Sequence, residues 1–177
     1  MPASSNTKKE TITLGINTSE IFLFDPKLLG FVSSKHKFVG KMVEGAEHVL
    51  GIGCMDGFGS AIVSNFVKNM MSIDFYRSHI EHIDPTQEPL FLSRVVNALK
   101  HDGVFIVGMP SLESQAYASE INTFSHINCQ TATQLTSTLN RYFNNVFSFG
   151  MNDEVLHSGY GKMCHYILNL CVRPKKY

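Results

Sequence analysis

A glycine-rich segment, GIGCMDGFGS at residues 51–60, constrains the fold of this chain more than any other feature. It continues a short apolar run, HVLGIG (48–53), whose length and composition predict a buried parallel strand. The segment after it, SAIVSNFVKNM (60–70), has apolar residues at helical spacing, and MMSID (70–74) predicts a second short strand closed by an acid. The order predicts a β-loop-α-β unit with two parallel strands.

The residues of this unit predict a ligand that contains adenosine. Gly53, Gly57 and Gly59 allow a tight turn and a close approach of a ligand to backbone N–H groups at a helix start. Asp74 ends the second strand, where a carboxylate can accept hydrogen bonds from both hydroxyls of a ribose. The alternative is purely structural: the glycines only make the turn and Asp74 only caps.

NAD is disfavoured as that ligand. A dinucleotide fingerprint that starts at Gly51 and Gly53 requires a third glycine at position 56, where this chain has Asp56.

The rest of the chain alternates helical and strand patterns, which predicts an α/β protein with helices on both faces of a mostly parallel sheet. Residues 1–32 are interpreted as a tail and lead-in segment, and 33–177 as a single domain. The predicted elements are a helix capped by Ser33 or Ser34, a helix starting at Asp84-Pro85, a strand at 103–110, a helix at 131–143, and an antiparallel strand pair at 145–151 and 165–172.

Composition excludes several classes of function. The 15 basic and 15 acidic residues balance, so no positive field attracts nucleic acid. The four cysteines form no Cys-x-x-Cys pair, which disfavours a disulfide framework or a zinc site and favours a reducing, cytoplasmic setting. Because no apolar run is long enough for a signal peptide or a membrane span, we expect a soluble protein with no membrane partner.

Several segments resemble class I S-adenosylmethionine-dependent methyltransferases. VLGIGCMDGFGS is similar to motif I of that family, and SID resembles its second-strand acid motif. LSRVVNALKHDGVFIVGMPS resembles the helix and fifth strand, and HINCQTATQLTSTLNRYF resembles the segment that follows. The resemblance covers residues 33–173, and the order of the segments carries more weight than any one of them.

The resemblance implies a three-layer Rossmann-like fold with strand order 3-2-1-4-5-7-6 and an antiparallel C-terminal strand. It implies S-adenosylmethionine as cofactor and methyl transfer to a hydroxyl of a small molecule or a glycan. The implied catalytic residue is His126, which can act as a general base near neutral pH or can simply hold its own loop. The implied cofactor contacts are Gly51, Gly53, Cys54, Asp56, Gly57, Asp74 and Phe75.

The chain also departs from the family pattern. Gly51 stands where the family has an acid, and Met55 stands where it has a glycine. Only FYRSHIEHI separates Asp74 from Asp84, so the region of strands 3 and 4 is missing and the expected order shortens to 2-1-5-7-6. The alternative function is therefore a non-catalytic homologue that serves as a binding or assembly subunit. A third is a protein that binds or degrades the cofactor without methylating anything.

Two clusters and one apolar segment complete the candidates. The loop MNDEVLHSGY (151–160) gathers Asn152, Asp153, Glu154 and His157, which form a substrate rim, a metal-tolerant cluster or a solvated loop. A second polar group consists of Glu81, His82 and Asp84, of which Asp84 is expected to be an N-cap. No metal site is predicted. Loss of strands 3 and 4 should uncover apolar surface near the end of the second strand, so we expect a homo-oligomer with an interface around 74–92.

Overall fold

The computed structural model of the protein describes residues 11–74 and 79–176, so Phe75 lies outside the described residues. The chain is mixed α/β. Its helices are α1 Ile16–Phe24, α2 Pro26–Met42, α3 Phe58–Ser64, α4 Glu88–Ala98, α5 Glu120–Ser125 and α6 Ala132–Leu139. Its strands are β1 Val49–Ile52, β2 Met70–Ile73, β3 Val104–Pro110, β4 Phe143–Asn152, β5 Val155–His157 and β6 Tyr166–Pro174. Single 3-10 turns cover Ile80–His82, Glu113–Tyr117 and Gly161–Met163.

The strands form two sheets rather than one. β1 and β2 pair in parallel, as the β-loop-α-β unit predicts, and β3, β6, β4 and β5 form an antiparallel sheet in that order. The expectation of a single, mostly parallel sheet was therefore wrong. Within the described residues no strand pairs with both β1 and β3, so no hydrogen-bond ladder joins the two sheets.

The order of the last three predicted strands is confirmed. The strand at 104–110 pairs with the last strand, and the last strand pairs with the strand at 143–152. Both pairings are antiparallel, which also confirms the predicted antiparallel pair at the end of the chain.

Helix α2 packs against α3 of the parallel unit through two glycines. A Cβ placed on Gly40 would lie 2.3 Å from the Phe66 ring, and a Cβ on Gly59 would lie 2.1 Å from the His36 ring. Any larger side chain at either position would push the partner ring away, so the glycines are required by close approach.

The same helix packs against the antiparallel sheet through aromatic rings. Phe38 meets Phe149 edge-to-face with ring centroids 5.1 Å apart, and Phe31 meets Tyr166 in the same way at 5.7 Å. Phe149 and Tyr166 share one face of the antiparallel sheet. Tyr166 is the register partner of Met151, and Met151 lies two residues after Phe149 on the same face of β4. α2 therefore contacts both α3 of the parallel unit and the antiparallel sheet.

The opposite face of the antiparallel sheet carries the main core. α4 and α6 cover it with apolar side chains at helical spacing, and Phe105 stacks on Phe143 with ring centroids 5.8 Å apart. The buried members of this core are Ile80, Leu92, Val96, Val107, Met109, Leu135, Leu139, Phe143, Cys164, Ile167 and Cys171.

One face of the parallel sheet is open, so the expectation of buried strands covered on both faces was wrong for β1 and β2. Leu50 and Met71 are register neighbours with 52% and 67% of their surface exposed, and the next pair, Ile52 and Ile73, is exposed as well. Within residues 11–74 and 79–176, the next element after β2 is the 3-10 turn at residues 80–82. Ile80, which belongs to the segment 74–92 expected at an interface, is itself buried.

Two helix starts differ from expectation. α2 begins at Pro26, with Asp25 at the N-cap, so position 33 lies inside the helix. The Asp84 carboxylate accepts hydrogen bonds from the backbone N–H and hydroxyl of Thr86, which makes a turn, and α4 begins only at Glu88. None of the helices in the described ranges is both long and apolar enough to span a membrane.

The contact between α2 and α3 gives a first prediction. Gly40→Ala should lower the free energy of unfolding by about 1–3 kcal/mol, because the new methyl group collides with the Phe66 ring. Chemical denaturation of the two proteins measures the difference.

Lys37→Ala, on an exposed turn of the same helix, is the matched control and should change the free energy of unfolding by less than about 0.5 kcal/mol. Adding Phe66→Leu to Gly40→Ala should recover part of the loss. A Gly40→Ala variant as stable as the original protein would contradict the packing described.

Candidate functional site

The glycine loop between β1 and α3 turns through left-handed backbone conformations. Gly53 has φ +77° and Gly57 has φ +87°, which explains why glycine is needed at these positions. Met55 between them also has a positive φ of +51°, an unfavourable conformation for a residue with a long side chain. About half of the Met55 surface is exposed.

The loop is held by the acid predicted to bind ribose. The Asp74 carboxylate accepts a hydrogen bond from the Met55 backbone N–H through Oδ2. β1 and β2 bring the two residues together because their carboxyl ends lie at the same edge of the parallel sheet. A ribose would have to share this carboxylate with the loop, or replace the loop as its partner.

Asp56 binds the N-terminal helix α1 instead of facing outward. Its two carboxylate oxygens accept hydrogen bonds from the Thr18 backbone N–H at 2.7 Å and the Thr18 hydroxyl at 2.8 Å. Burial alone would raise the pKa of the Asp56 carboxyl, but the hydrogen bonds from Thr18 outweigh it and hold that pKa below its ordinary value. The carboxylate thus satisfies a free N–H group in the first turn of α1.

The remaining predicted cofactor residues are close to the loop but offer few polar groups. A Cβ on Gly51 would lie 2.9 Å from the Met70 side chain, so the position is packed under α3. Cys54 is half-buried, and its thiol lies 3.8 Å from the Met55 carbonyl oxygen. Phe75 lies outside the described residues.

His126 lies in a different place, on the wall of a pocket of about 340 Å³ beside the antiparallel sheet. Gln115, Tyr117 and His165 line the same pocket. His126 Nδ1 is 3.0 Å from the Gln115 side-chain oxygen, so Nδ1 donates and Nε2 keeps its lone pair. Burial lowers the pKa of His126, partly opposed by the charge of Glu81, which favours the neutral imidazole that a general base requires.

Two residues that follow the short connection, Glu81 and His82, join His126. One ligand atom from each of the three side chains lies within 4.8 Å of the others. Glu81 is 6% exposed and its Oε2 has no hydrogen-bond partner. His82 Nδ1 lies 2.8 Å from the Ser125 carbonyl oxygen, so this ring too keeps its Nε2 lone pair.

The sequence shows Glu81 and His82 side by side but gives no sign that His126 joins them. Backbone and side-chain hydrogen bonds bring the distant segments together. The Asn128 backbone N–H donates to the Glu81 carbonyl oxygen at 3.0 Å. The Glu88 carboxylate accepts from the side-chain amides of Asn128 at 2.9 Å and Gln130 at 2.5 Å.

The other predicted polar cluster, in the loop at residues 151–160, is engaged in local structure. Asn152 accepts a hydrogen bond from the His165 backbone N–H at 3.0 Å and holds the chain beside β6. The Glu154 carboxylate lies against Gly30 of α2, and the His157 ring lies 4.0 Å from the buried thiol of Cys164. These contacts favour the structural interpretation of this cluster over a substrate rim.

Comparison of the chain with protein-family models, with characterised proteins and with solved structures found no match. The functional argument therefore depends on the residues and contacts of this chain.

The contact between Asp56 and α1 gives a second prediction. Asp56→Ala should lower the free energy of unfolding by about 0.5–2 kcal/mol, because α1 loses an acceptor for the N–H groups of its first turn. The helical signal in circular dichroism, followed during thermal unfolding, measures this loss. Asp102→Ala, at an exposed turn before β3, is the control and should leave the melting curve in place. Equal melting temperatures for both variants would mean that Asp56 does not hold α1.

Proposed function

We propose that this protein is a class I methyltransferase-like protein that binds S-adenosylmethionine weakly at the glycine loop and transfers its methyl group to a hydroxyl of a small molecule or a glycan. The observation that carries the proposal is the arrangement of strands. β2 and β1 are neighbours, and the predicted fifth, seventh and sixth strands are neighbours in that order. The break between the two groups falls where the fourth strand of a complete family member would stand.

The glycine loop fits the ribose of the cofactor better than its amino group. Gly53 and Gly57 have the backbone conformation that permits close approach, and the Asp74 carboxylate reaches the loop. Position 51 offers no acid for an amino group, and the half-exposed Met55 stands where the family has a glycine. We therefore expect a dissociation constant of tens of micromolar, about −6 kcal/mol of binding free energy.

Bound cofactor would supply an electrophilic methyl group. In the proposed reaction, residues of the chain orient the acceptor and take its proton. His126 has a neutral ring with Nε2 available to accept a proton, and Gln115 fixes the ring orientation. The pocket beside His126 is lined by none of residues 51–60, so this role requires the acceptor to reach from that pocket to the cofactor at the glycine loop.

Calorimetric titration with S-adenosylmethionine and S-adenosylhomocysteine tests the proposal. Asp74→Ala should weaken binding by about 1–3 kcal/mol, because a charged acceptor of ribose hydroxyls is lost. Met55→Gly should strengthen it, because glycine adopts the left-handed conformation without strain and clears the loop. Asp102→Ala is the control and should bind like the original protein.

The absence of any binding heat at millimolar S-adenosylmethionine or S-adenosylhomocysteine would contradict the methyltransferase proposal. Binding that Asp74→Ala leaves unchanged would place the cofactor somewhere other than the glycine loop.

A second candidate is a non-catalytic homologue that acts as a binding or assembly subunit. Two observations favour it. Asp56 and Asp74 are both engaged in contacts within the chain, and the parallel sheet exposes an apolar face formed by Leu50, Ile52 and their neighbours in β2. Contiguous apolar surface of this kind is uncommon in soluble monomers and is often covered by a partner.

The exposed face predicts a homo-oligomer, most simply a two-fold dimer. Light scattering at tens of micromolar should give about twice the chain mass of 19.8 kDa. Leu50→Glu combined with Met71→Lys should shift the protein to the monomer, because charges on the face must be desolvated in a dimer. Val155→Lys, at an exposed apolar residue of the antiparallel sheet, should not. A monomeric original protein would remove this prediction.

A further inference from the structure

The side chains of Glu81, His82 and His126 form the arrangement of a metal site. Two imidazoles and one carboxylate present ligand atoms within 4.8 Å of one another, and the three come from two segments that the fold brings together. In a tetrahedral zinc site, ligand atoms about 2.0–2.2 Å from the ion lie about 3.3 Å apart, so small side-chain rotations would close the site.

In both imidazoles one ring nitrogen has an oxygen acceptor, which leaves the other nitrogen for a ligand. His82 Nδ1 donates to the Ser125 carbonyl oxygen at 2.8 Å, and His126 Nδ1 donates to the Gln115 side-chain oxygen at 3.0 Å. Each ring is thereby fixed as the tautomer whose Nε2 is unprotonated. Carbonyl partners of this kind on the second nitrogen are usual for histidines that bind metal ions.

Glu81 supplies an independent observation. Its carboxylate is 6% exposed, and Oε2 has no hydrogen-bond partner. A buried carboxylate oxygen without a partner is costly, and a cation beside it removes that cost. The charge of Glu81 opposes the lowering of the Lys35 pKa by burial, but among the residues described the two side chains form no salt bridge. The unpartnered oxygen therefore remains to be explained.

Of the three side chains, His126 lines the pocket beside the antiparallel sheet, together with Gln115 and Tyr117, and Tyr117 is 91% exposed. Three protein ligands with an open position are typical of metal sites that activate a bound water or hydroxyl rather than of closed structural sites.

We propose that Glu81, His82 and His126 bind one divalent transition-metal ion of the zinc class, with an open coordination position facing the pocket. Imidazole favours such ions over Mg²⁺ and Ca²⁺, which prefer oxygen ligands. The site goes beyond the proposed methyltransferase function and does not depend on it. With a metal bound, His126 is a ligand and no longer a free general base, and the ion would lower the pKa of a bound water.

The test is calorimetric titration of the full chain, freed of metal by a chelator, with Zn²⁺ and separately with Mg²⁺. We expect one Zn²⁺ per chain with a dissociation constant of micromolar or lower, and no measurable heat with Mg²⁺. Glu81→Gln and His126→Gln should each weaken Zn²⁺ binding at least tenfold. Gln115→Leu should weaken it less, because that change only frees the His126 ring.

His165→Gln is the matched control, because His165 lines the same pocket but is not one of the three ligands. It should bind Zn²⁺ like the original protein. Co²⁺ substitution identifies the ligand set: intense visible bands without a sulfur-to-metal charge-transfer band are expected for nitrogen and oxygen ligands. Such a charge-transfer band would instead assign the metal to a cysteine such as Cys164, which lies near His157.

Thermal melting of each variant without metal shows whether it is folded. His126 is partly exposed, so His126→Gln keeps the test decisive even if Glu81→Gln does not fold. The inference is overturned if the original protein binds no stoichiometric Zn²⁺, or if folded His126→Gln binds it with unchanged affinity. The calorimetry needs no S-adenosylmethionine, so failure of the metal site and failure of the methyltransferase proposal are separate results.

Discussion

The packing of α2 against both α3 and the antiparallel sheet is the contact on which the rest of the structure depends. The sheets share no hydrogen-bond ladder in the described ranges, so side chains must hold them together. On one side the Phe66 and His36 rings fill the space that Gly40 and Gly59 leave open. On the other side Phe38 meets Phe149. Such contacts depend on shape, which makes this helix sensitive to changes that a hydrogen-bonded sheet would tolerate.

Because α2 lies in this position, consecutive residues of one helix reach both candidate sites. His36 packs on the first turn of α3, directly after the glycine loop. The Lys35 ammonium lies 4.7 Å from the centre of the Tyr166 ring. Burial lowers the pKa of Lys35, and the nearby charge of Glu81 opposes that change. A displacement of α2 would therefore be felt at the glycine loop and beside Glu81 together.

The glycine loop and the cluster of Glu81, His82 and His126 differ in whether their carboxylates already have hydrogen-bond partners. At the glycine loop, Asp56 is bound to α1 and Asp74 is bound to the loop backbone, so a ligand must compete with contacts already made. Beside the pocket, the Glu81 oxygen has no partner although it is buried. Buried polar atoms are almost always paired, and among the described residues Glu113 Oε2 and Asn169 Nδ2 are also buried without a partner. Glu81 differs from them because His82 and His126 lie beside it, so a charged ligand is best sought there, outside the glycine loop.

The sequence by itself determined the local elements and the order of the last strands. Apolar runs and glycines fixed β1, β2 and β3 within a residue or two, because short buried strands and tight turns leave strong local patterns. It did not determine the separation into two sheets, the exposed face of β1 and β2, or the meeting of His126 with Glu81 and His82. Those features depend on which distant segments are hydrogen-bonded, as Asn128 is to Glu81 and Glu88. Pairing between distant residues leaves no periodic trace in one sequence, so only the tertiary structure decided them.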